Sequence, residues 1–196
     1  MTDPRLERWL EVLVATPGLT SVRDPAEARR VHLDGSLAAL EAVRGFEGSI
    51  VDVGSGGGAP GIPLAVALPE REVTLLESSR RKCEFLERWT AEVPNLRVIC
   101  GRAEEQPVDT FGVAVAKALA PPPVAAEWCL PLVVPGGAVV LFVGPSAQPE
   151  PVAGVAKQLA AELAESPPGL LVLRKLGPTP PGYPRRPGIA RKRPLA

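Results

Sequence analysis

Residues 52–63 read DVGSGGGAPGIP, which puts an aspartate and five glycines between an apolar strand, SIVDV (49–53), and an apolar helix near 60–68. Glycine is a poor residue in both element types, so core packing alone does not call for this run. A ligand that must come close to the backbone does call for it, because a chain without Cβ atoms can turn sharply and let the ligand approach. A loop between a first parallel strand and a helix also lies at the carboxyl edge of an open α/β sheet, where such sheets bind ligands. The run therefore predicts an α/β fold with a site at residues 54–59.

The rest of the chain keeps the alternation. REVTLLE (71–77), LRVICG (96–101), FGVAVAKA (111–118) and GGAVVLFVG (136–144) read as strands. Helices are predicted at 79–92, 123–133 and about 150–165, and GLLVLRKL (169–176) is expected to pair with a segment near 189–194. Strands alternating with helices imply a mostly parallel sheet with helices on both faces. Ahead of it, Leu6, Trp9, Leu10, Leu13 and Val14 form the stripe of an amphipathic helix over 3–15. A second helical region, 24–43, opens with Asp24 as cap and Pro25 at its first position. The expected organisation is one domain over the 196 residues. It comprises a helical extension (1–45), a Rossmann-like core (46–176) and a basic C-terminal segment (177–196).

The formal net charge is zero, yet it is unevenly spread. Seven of the 22 basic residues and none of the 22 acidic ones fall between Arg174 and Ala196, which leaves the remainder at net −7. A basic end on an acidic body is the asymmetry of a nucleic-acid contact, or simply a solvated segment. The 24 prolines, about twice the usual ~5%, read as stiffened loops. The start, MTDPRLERW, is charged from its third residue and does not look like a signal peptide. No run of about 18 apolar residues is present, so no membrane span is expected. Cys83, Cys100 and Cys129 are odd in number and far apart in the chain. They suggest neither a disulfide framework nor a zinc site, fit a reducing cytosol, and read as core fillers.

Two cofactor classes suit the loop. GSGGGA (54–59) matches the dinucleotide pattern, and Glu77, at the end of the second strand, sits near the spacing of the acid that takes ribose hydroxyls. Asp52 tilts the choice. A carboxylate beside Gly54 and Gly56 would repel a phosphate, whereas S-adenosylmethionine has none and carries an ammonium and a sulfonium. Pro60 and Pro63 remove N–H donors that a pyrophosphate would use. S-adenosylmethionine is thus favoured over a nicotinamide or flavin dinucleotide and over a purely structural loop. After the third strand, GRAEE (101–105) offers the backbone N–H of Ala103 or Glu104 to an adenine ring; an acid-rich helix start is the plainer reading.

VDVGSGGGAPGIPLA (51–65), LLESSRRKCEFL (75–86), GRAEE (101–105) and the tail YPRRPGIARKRPL (183–195) resemble the small-subunit ribosomal RNA guanine-N7 methyltransferases, also called the glucose-inhibited division protein B family. HLDGSL (32–37) is similar to that family's stretch before the first strand. The resemblance spans about residues 20–195. It implies a class I S-adenosylmethionine-dependent methyltransferase sheet with an N-terminal helical extension, acting on one guanine N7 of 16S rRNA. It carries cofactor contacts over to Gly54, Ala59, Ala103 and Glu104. The family arginine after the fourth strand falls on Lys117, and lysine lacks arginine's planar fork. The family signature before His32 is blurred to ATPGLTSV (15–22).

Guanine N7 holds its attacking lone pair unprotonated at neutral pH, so the expected chemistry needs no general base, no cysteine and no metal. Its demand is in-line placement of the base. Lys117 is the candidate cation for this, as a catalytic residue beside the guanine and a cofactor neighbour. Arg185, Arg186, Arg191, Lys192 and Arg193 are candidates for RNA phosphates. The expected partner is 16S rRNA or the small ribosomal subunit, met by a cytoplasmic monomer. A small-molecule methyltransferase, a non-catalytic RNA-binding relative and a nucleotide-dependent oxidoreductase are the alternatives.

Overall fold

Strand β1 (Ile50–Val53) is buried at all four positions. A strand like that needs cover on both faces of its sheet, and it has it. The computed structural model describes residues 3–196 and places β1 inside a seven-stranded sheet of order β3-β2-β1-β4-β5-β7-β6. The other strands are β2 (Val73–Glu77), β3 (Leu96–Cys100), β4 (Phe111–Lys117), β5 (Val133–Phe142), β6 (Ala161–Leu163) and β7 (Leu170–Lys175). β1 to β5 run parallel; β7 is antiparallel to both β5 and β6. Strand order reverses between β1 and β4, which is where open α/β sheets leave a crevice at their carboxyl edge.

Successive side chains of a strand point to opposite faces, and the two core layers follow that rule. Ile50, Val73 and Leu75 pack with the N-terminal helices, with α5 (Gly61–Ala67) and with α6 (Arg80–Glu87). Val51, Val53 and Leu76 pack with α7 (Pro122–Cys129) and α8 (Pro149–Gln158). Helix α1 (Pro4–Ala15) forms where the stripe predicts. The Asp3 carboxylate accepts from the Arg5 N–H at 2.9 Å, and Leu6, Trp9, Leu10 and Leu13 are buried. Trp9 goes further: its indole Nε1 donates to Gly57 O at 2.9 Å, so the extension is bolted to the glycine loop.

The region 24–43 is helical, though in consecutive pieces, and two other expectations need correction. Asp24 does cap α2 (Pro25–Ala28), but a wide π turn follows over Arg29–Asp34 before α3 (Gly35–Leu37) and α4 (Leu40–Arg44). Two carbonyls of that turn are claimed by side chains: Val31 O by Lys117 Nζ at 2.6 Å and His32 O by Ser36 Oγ at 2.6 Å, the kind of intrusion that disturbs a helix ladder. Next, the helix expected over 150–165 stops at Gln158. Ala160 takes φ 54° and turns the chain back, and Ala161–Leu163 becomes edge strand β6, where pairing with β7 overrides a helix-favouring composition. Finally, residues 189–194 do not pair with 169–176. Gly188, at φ 82°, starts a helical turn, α9 (Ile189–Lys192), whose Ala190 is buried against α7.

The fold also joins two cysteines that lie apart in the chain. Cys83 Sγ is 2.6 Å from Cys100 Sγ, and both thiols are free. Among the described residues no helix is long and apolar enough to cross a membrane, and no group of three or more His, Cys, Asp or Glu side chains is placed to hold a metal.

Candidate active site

Three strand ends build the site. The chain leaves β1 through Gly54, at φ 73°, whose N–H donates to Leu76 O at 2.7 Å. Glycine is required there twice over: the dihedral is left-handed, and a Cβ would strike the Leu119 side chain. Glu77, the last residue of β2, turns its carboxylate onto the loop. Oε2 accepts from the Gly56 N–H at 2.9 Å and Oε1 from the Ser79 N–H at 2.8 Å. Beyond β3 the chain enters a short 3-10 turn at Ala103–Glu105.

Between these ends lies a cavity of about 270 Å³, at the small end of ligand pockets (~300 Å³ upward) and of a size for a nucleoside. Val53, Gly54, Leu76 and Ser78 line it from β1 and β2, and Gly101, Arg102, Ala103 and Glu104 from the turn after β3. Leu119 and Trp128 add an apolar wall, and Gly188 and Arg191 reach in from the C-terminal segment.

That segment is fastened at several points. Lys175 is buried and donates to Leu130 O at 3.1 Å and to Thr179 Oγ1 at 2.9 Å, while Thr179 donates its N–H and its hydroxyl to the Asp109 carboxylate at 3.1 and 2.7 Å. Arg185 grips Glu127 with two bonds of 2.5 and 2.6 Å, Glu127 being 3% exposed. The Gly188 N–H donates to Glu104 Oε1 at 3.1 Å. The Arg191 guanidinium lies 5.2 Å from the centre of the Trp128 ring, a cation–π distance.

Asp52 does not stand at the mouth of the loop, contrary to the reading from sequence. It is 1% exposed, and its Oδ2 accepts from the Gly61 N–H at 3.0 Å, inside the turn. Burial pushes its pKa up to about 7, against the pull of the Gly61 N–H, Ser55 and Lys117. Oδ1 has no hydrogen-bond partner among the described residues. Gly61 must be glycine for this contact, since a Cβ there would run into Leu75 and Asp52.

Lys117 ends β4 on the side of the N-terminal extension. Its ammonium holds Val31 O, burial lowers its pKa, and the Asp52 carboxylate supports its charge. Beside it His32 Nε2 shares a hydrogen bond of 2.8 Å with Thr20 Oγ1; burial and then Lys117 push the histidine pKa down, which keeps the ring neutral.

Of the residues singled out from sequence, Gly54, Ala103, Glu104 and Arg191 line the cavity. Gly56 and Glu77 brace the turn from behind, and Asp52 braces it from below. Ala59 packs among the N-terminal helices, and Lys117 meets those helices rather than the cavity. Arg186, Lys192 and Arg193 are exposed, whereas Arg185 is committed to Glu127. The sequence reading missed Trp9, Glu127, Trp128 and Gly188. An acid and a tryptophan inside the apolar run PVAAEWCLPLV (123–133) were the available signal.

Known proteins match this arrangement. The family model GidB, rRNA small subunit methyltransferase G, matches residues 5–165. A ribosomal RNA small subunit methyltransferase G of Synechococcus elongatus is 37% identical over 200 residues, covering 90% of this chain and 82% of that protein. One from Carboxydothermus hydrogenoformans is 37% identical over 211 residues, covering 96% and 90%. Among solved structures, an O-methyltransferase from neocarzinostatin biosynthesis, in complex with S-adenosylmethionine, superposes with a TM-score of 0.60 at 18% identity, covering 76% of this chain and 54% of that one. The last likeness is one of fold.

Proposed function

The chain belongs to the rRNA small subunit methyltransferase G family, and from that premise we propose that it transfers a methyl group from S-adenosylmethionine to N7 of a guanine in 16S rRNA. The observation that carries the reading is the nucleoside-sized cavity at the ends of β1, β2 and β3, lined by Gly54, Ser78, Ala103 and Glu104. Adenosine suits it. The indole N–H of Trp128, a lining residue, is buried without an acceptor among the described residues, and adenine nitrogens are acceptors.

Hydrogen-bond accounting at α5 argues against a dinucleotide. A pyrophosphate needs free N–H groups at a helix start. Pro60 and Pro63 have none, the Gly61 N–H is given to Asp52, and the Ile62 N–H goes to Gly58 O at 2.7 Å. Asp52 thus disfavours a diphosphate by taking its donor, not by repelling it from the loop mouth.

When bound, S-adenosylmethionine supplies an electrophilic methyl group on a sulfonium. The work of the chain is placement. Guanine N7 has a free lone pair, so no side chain has to remove a proton. Lys117, fixed by Val31 O at the end of β4, is the cation we assign to guanine O6, with orientation contributing several kcal/mol. His32, kept neutral, shapes the neighbouring wall with Thr20. N7 faces the major groove, which is deep and narrow in A-form RNA, so the substrate guanine sits in a loop or is splayed from its helix. Arg186, Lys192 and Arg193 are the phosphate contacts, without Arg185, which Glu127 holds. An rRNA substrate places the protein in the cytoplasm, and we take it to act as a monomer.

The test is methyl transfer from tritiated cofactor to naked 16S rRNA and to small subunits, with the product nucleoside identified. N7-methylguanosine at one position is the expected result. Transfer to small molecules only, or to another guanine atom, overturns the reading.

A further inference from the structure

The C-terminal segment has two faces. Its inner face closes the nucleoside cavity: Gly188 and Arg191 are part of the lining, Gly188 is tied to Glu104, and Ala190 is buried. Its outer face carries Arg186, Lys192 and Arg193, all exposed. One short segment therefore touches the cavity through Gly188 and Arg191 and offers Arg186, Lys192 and Arg193 to solvent. Two carboxylates hold this arrangement. Glu104 comes from the turn after β3 and itself lines the cavity. Glu127, one residue before Trp128 on α7, is buried and grips Arg185 with two bonds.

We propose that this segment is a shared wall, so that S-adenosylmethionine and RNA bind cooperatively, with Glu104 and Glu127 as its positioning residues. The proposal rests on the function given above. A nucleoside in the cavity packs against Gly188, Arg191 and the Trp128 ring under Arg191, and restrains the segment. A restrained segment presents Arg186, Lys192 and Arg193 in one arrangement, so less conformational freedom is lost when phosphates bind. The coupling must be reciprocal, since each ligand changes the other's affinity by the same factor.

Calorimetry on the full chain tests this with S-adenosylhomocysteine and a 16S rRNA fragment that accepts methyl groups. Bound RNA is expected to tighten S-adenosylhomocysteine at least fivefold, the lower end of ordinary coupling, and the reverse titration should give the same factor. In Glu127→Gln, which weakens the grip on Arg185 without touching the cavity lining, the factor should fall toward one while each ligand still binds alone. Independent binding in the wild type overturns the proposal. A chain that binds neither S-adenosylhomocysteine nor RNA overturns the function instead, so the two failures are distinguishable. A second measurement needs no variant. Of the segment's trypsin bonds, those after Arg186 and Arg193 are blocked by the following prolines and the one after Arg185 follows a side chain held by Glu127, which leaves the bonds after exposed Arg191 and Lys192 as the reporters. S-adenosylhomocysteine should slow those two cuts about fivefold, and NAD should not. Equal rates with and without S-adenosylhomocysteine overturn the shared wall.

Discussion

Asp52 makes a pH-dependent stability signal that one substitution should erase. The residue is 1% exposed, with one carboxyl oxygen on the Gly61 N–H and the other without a partner among the described residues. Burial lifts its pKa from 3.8 to about 7. The folded state therefore holds a proton that the unfolded chain has already released between those values. Where the folded state binds more protons, stability falls as pH rises. The loss begins near pH 4, continues to about pH 7 and then levels off. A shift of about three pKa units at 1.36 kcal/mol each is worth about 4 kcal/mol. His32 slopes the other way. Its pKa is lowered on folding, so its contribution is complete above the ordinary histidine pKa and shrinks as pH falls below it.

The comparison that isolates Asp52 is wild type against Asp52→Asn, which keeps an oxygen for the Gly61 N–H and cannot ionise. Urea unfolding at about half-unit steps from pH 4 to 8 gives both curves, with the slope m as a check that the same surface unfolds. Relative to the variant, the wild type should lose about 4 kcal/mol over that range, so that the variant gains on it most above pH 7. The effect of His32 cancels in the difference. Parallel curves would falsify the reasoning, because they would mean that Asp52 ionises folded as readily as unfolded and is not desolvated under the loop.

Three further outcomes follow from the geometry. Lys117→Met should lower methyl transfer to rRNA about 100-fold while changing S-adenosylhomocysteine affinity less than threefold, and Lys117→Arg should restore most of the rate; a loss confined to cofactor affinity contradicts its assignment to the guanine. Arg185→Leu strands the Glu127 carboxylate, 3% exposed, and should cost about 3 kcal/mol in urea unfolding. Glu127→Gln should cost less, because Arg185 retains a route to water, its side chain being 22% exposed; the reverse order refutes that account. Of the three thiols, only exposed Cys100 should react promptly with a disulfide reagent at pH 8, since Cys83 is buried and pushed up to about 12 and burial raises Cys129 as well; three fast thiols, or none, would contradict the burial.

The parallel sheet and its loop were legible because each signal was local. An apolar strand before Gly54, glycines at left-handed positions and an acid ending β2 all follow from the chain's own order. What the sequence hid was set by distant partners. Ala161–Leu163 has helical composition and becomes a strand only because β7 offers an edge. Residues 189–194 have no feature that reveals the Glu104 carboxylate 84 residues earlier, waiting for the Gly188 N–H. Arg185 looks like any tail cation until Glu127 is found buried beside it. Asp52 meets the turn through the Gly61 N–H and does not face the loop mouth, because spacing shows that an acid is near a turn and not which way its oxygens point.

Those hidden contacts share a logic. Both ends of the chain come back to the carboxyl edge of the sheet, at different residues. Trp9 of the N-terminal extension holds Gly57 O, and Lys117 holds the π turn at Val31. The C-terminal segment holds Glu104 and covers Trp128. A glycine-rich loop carries a high conformational entropy when free, and a binding site needs it in one shape. Here that shape is imposed by groups outside the loop: Asp52 and Glu77 from the strands and Trp9 from the extension. Loosening the C-terminal segment should therefore be felt in the cavity before it is felt in the sheet, whereas loosening the N-terminal helices should be felt in both, because they also cover Ile50, Val73 and Leu75.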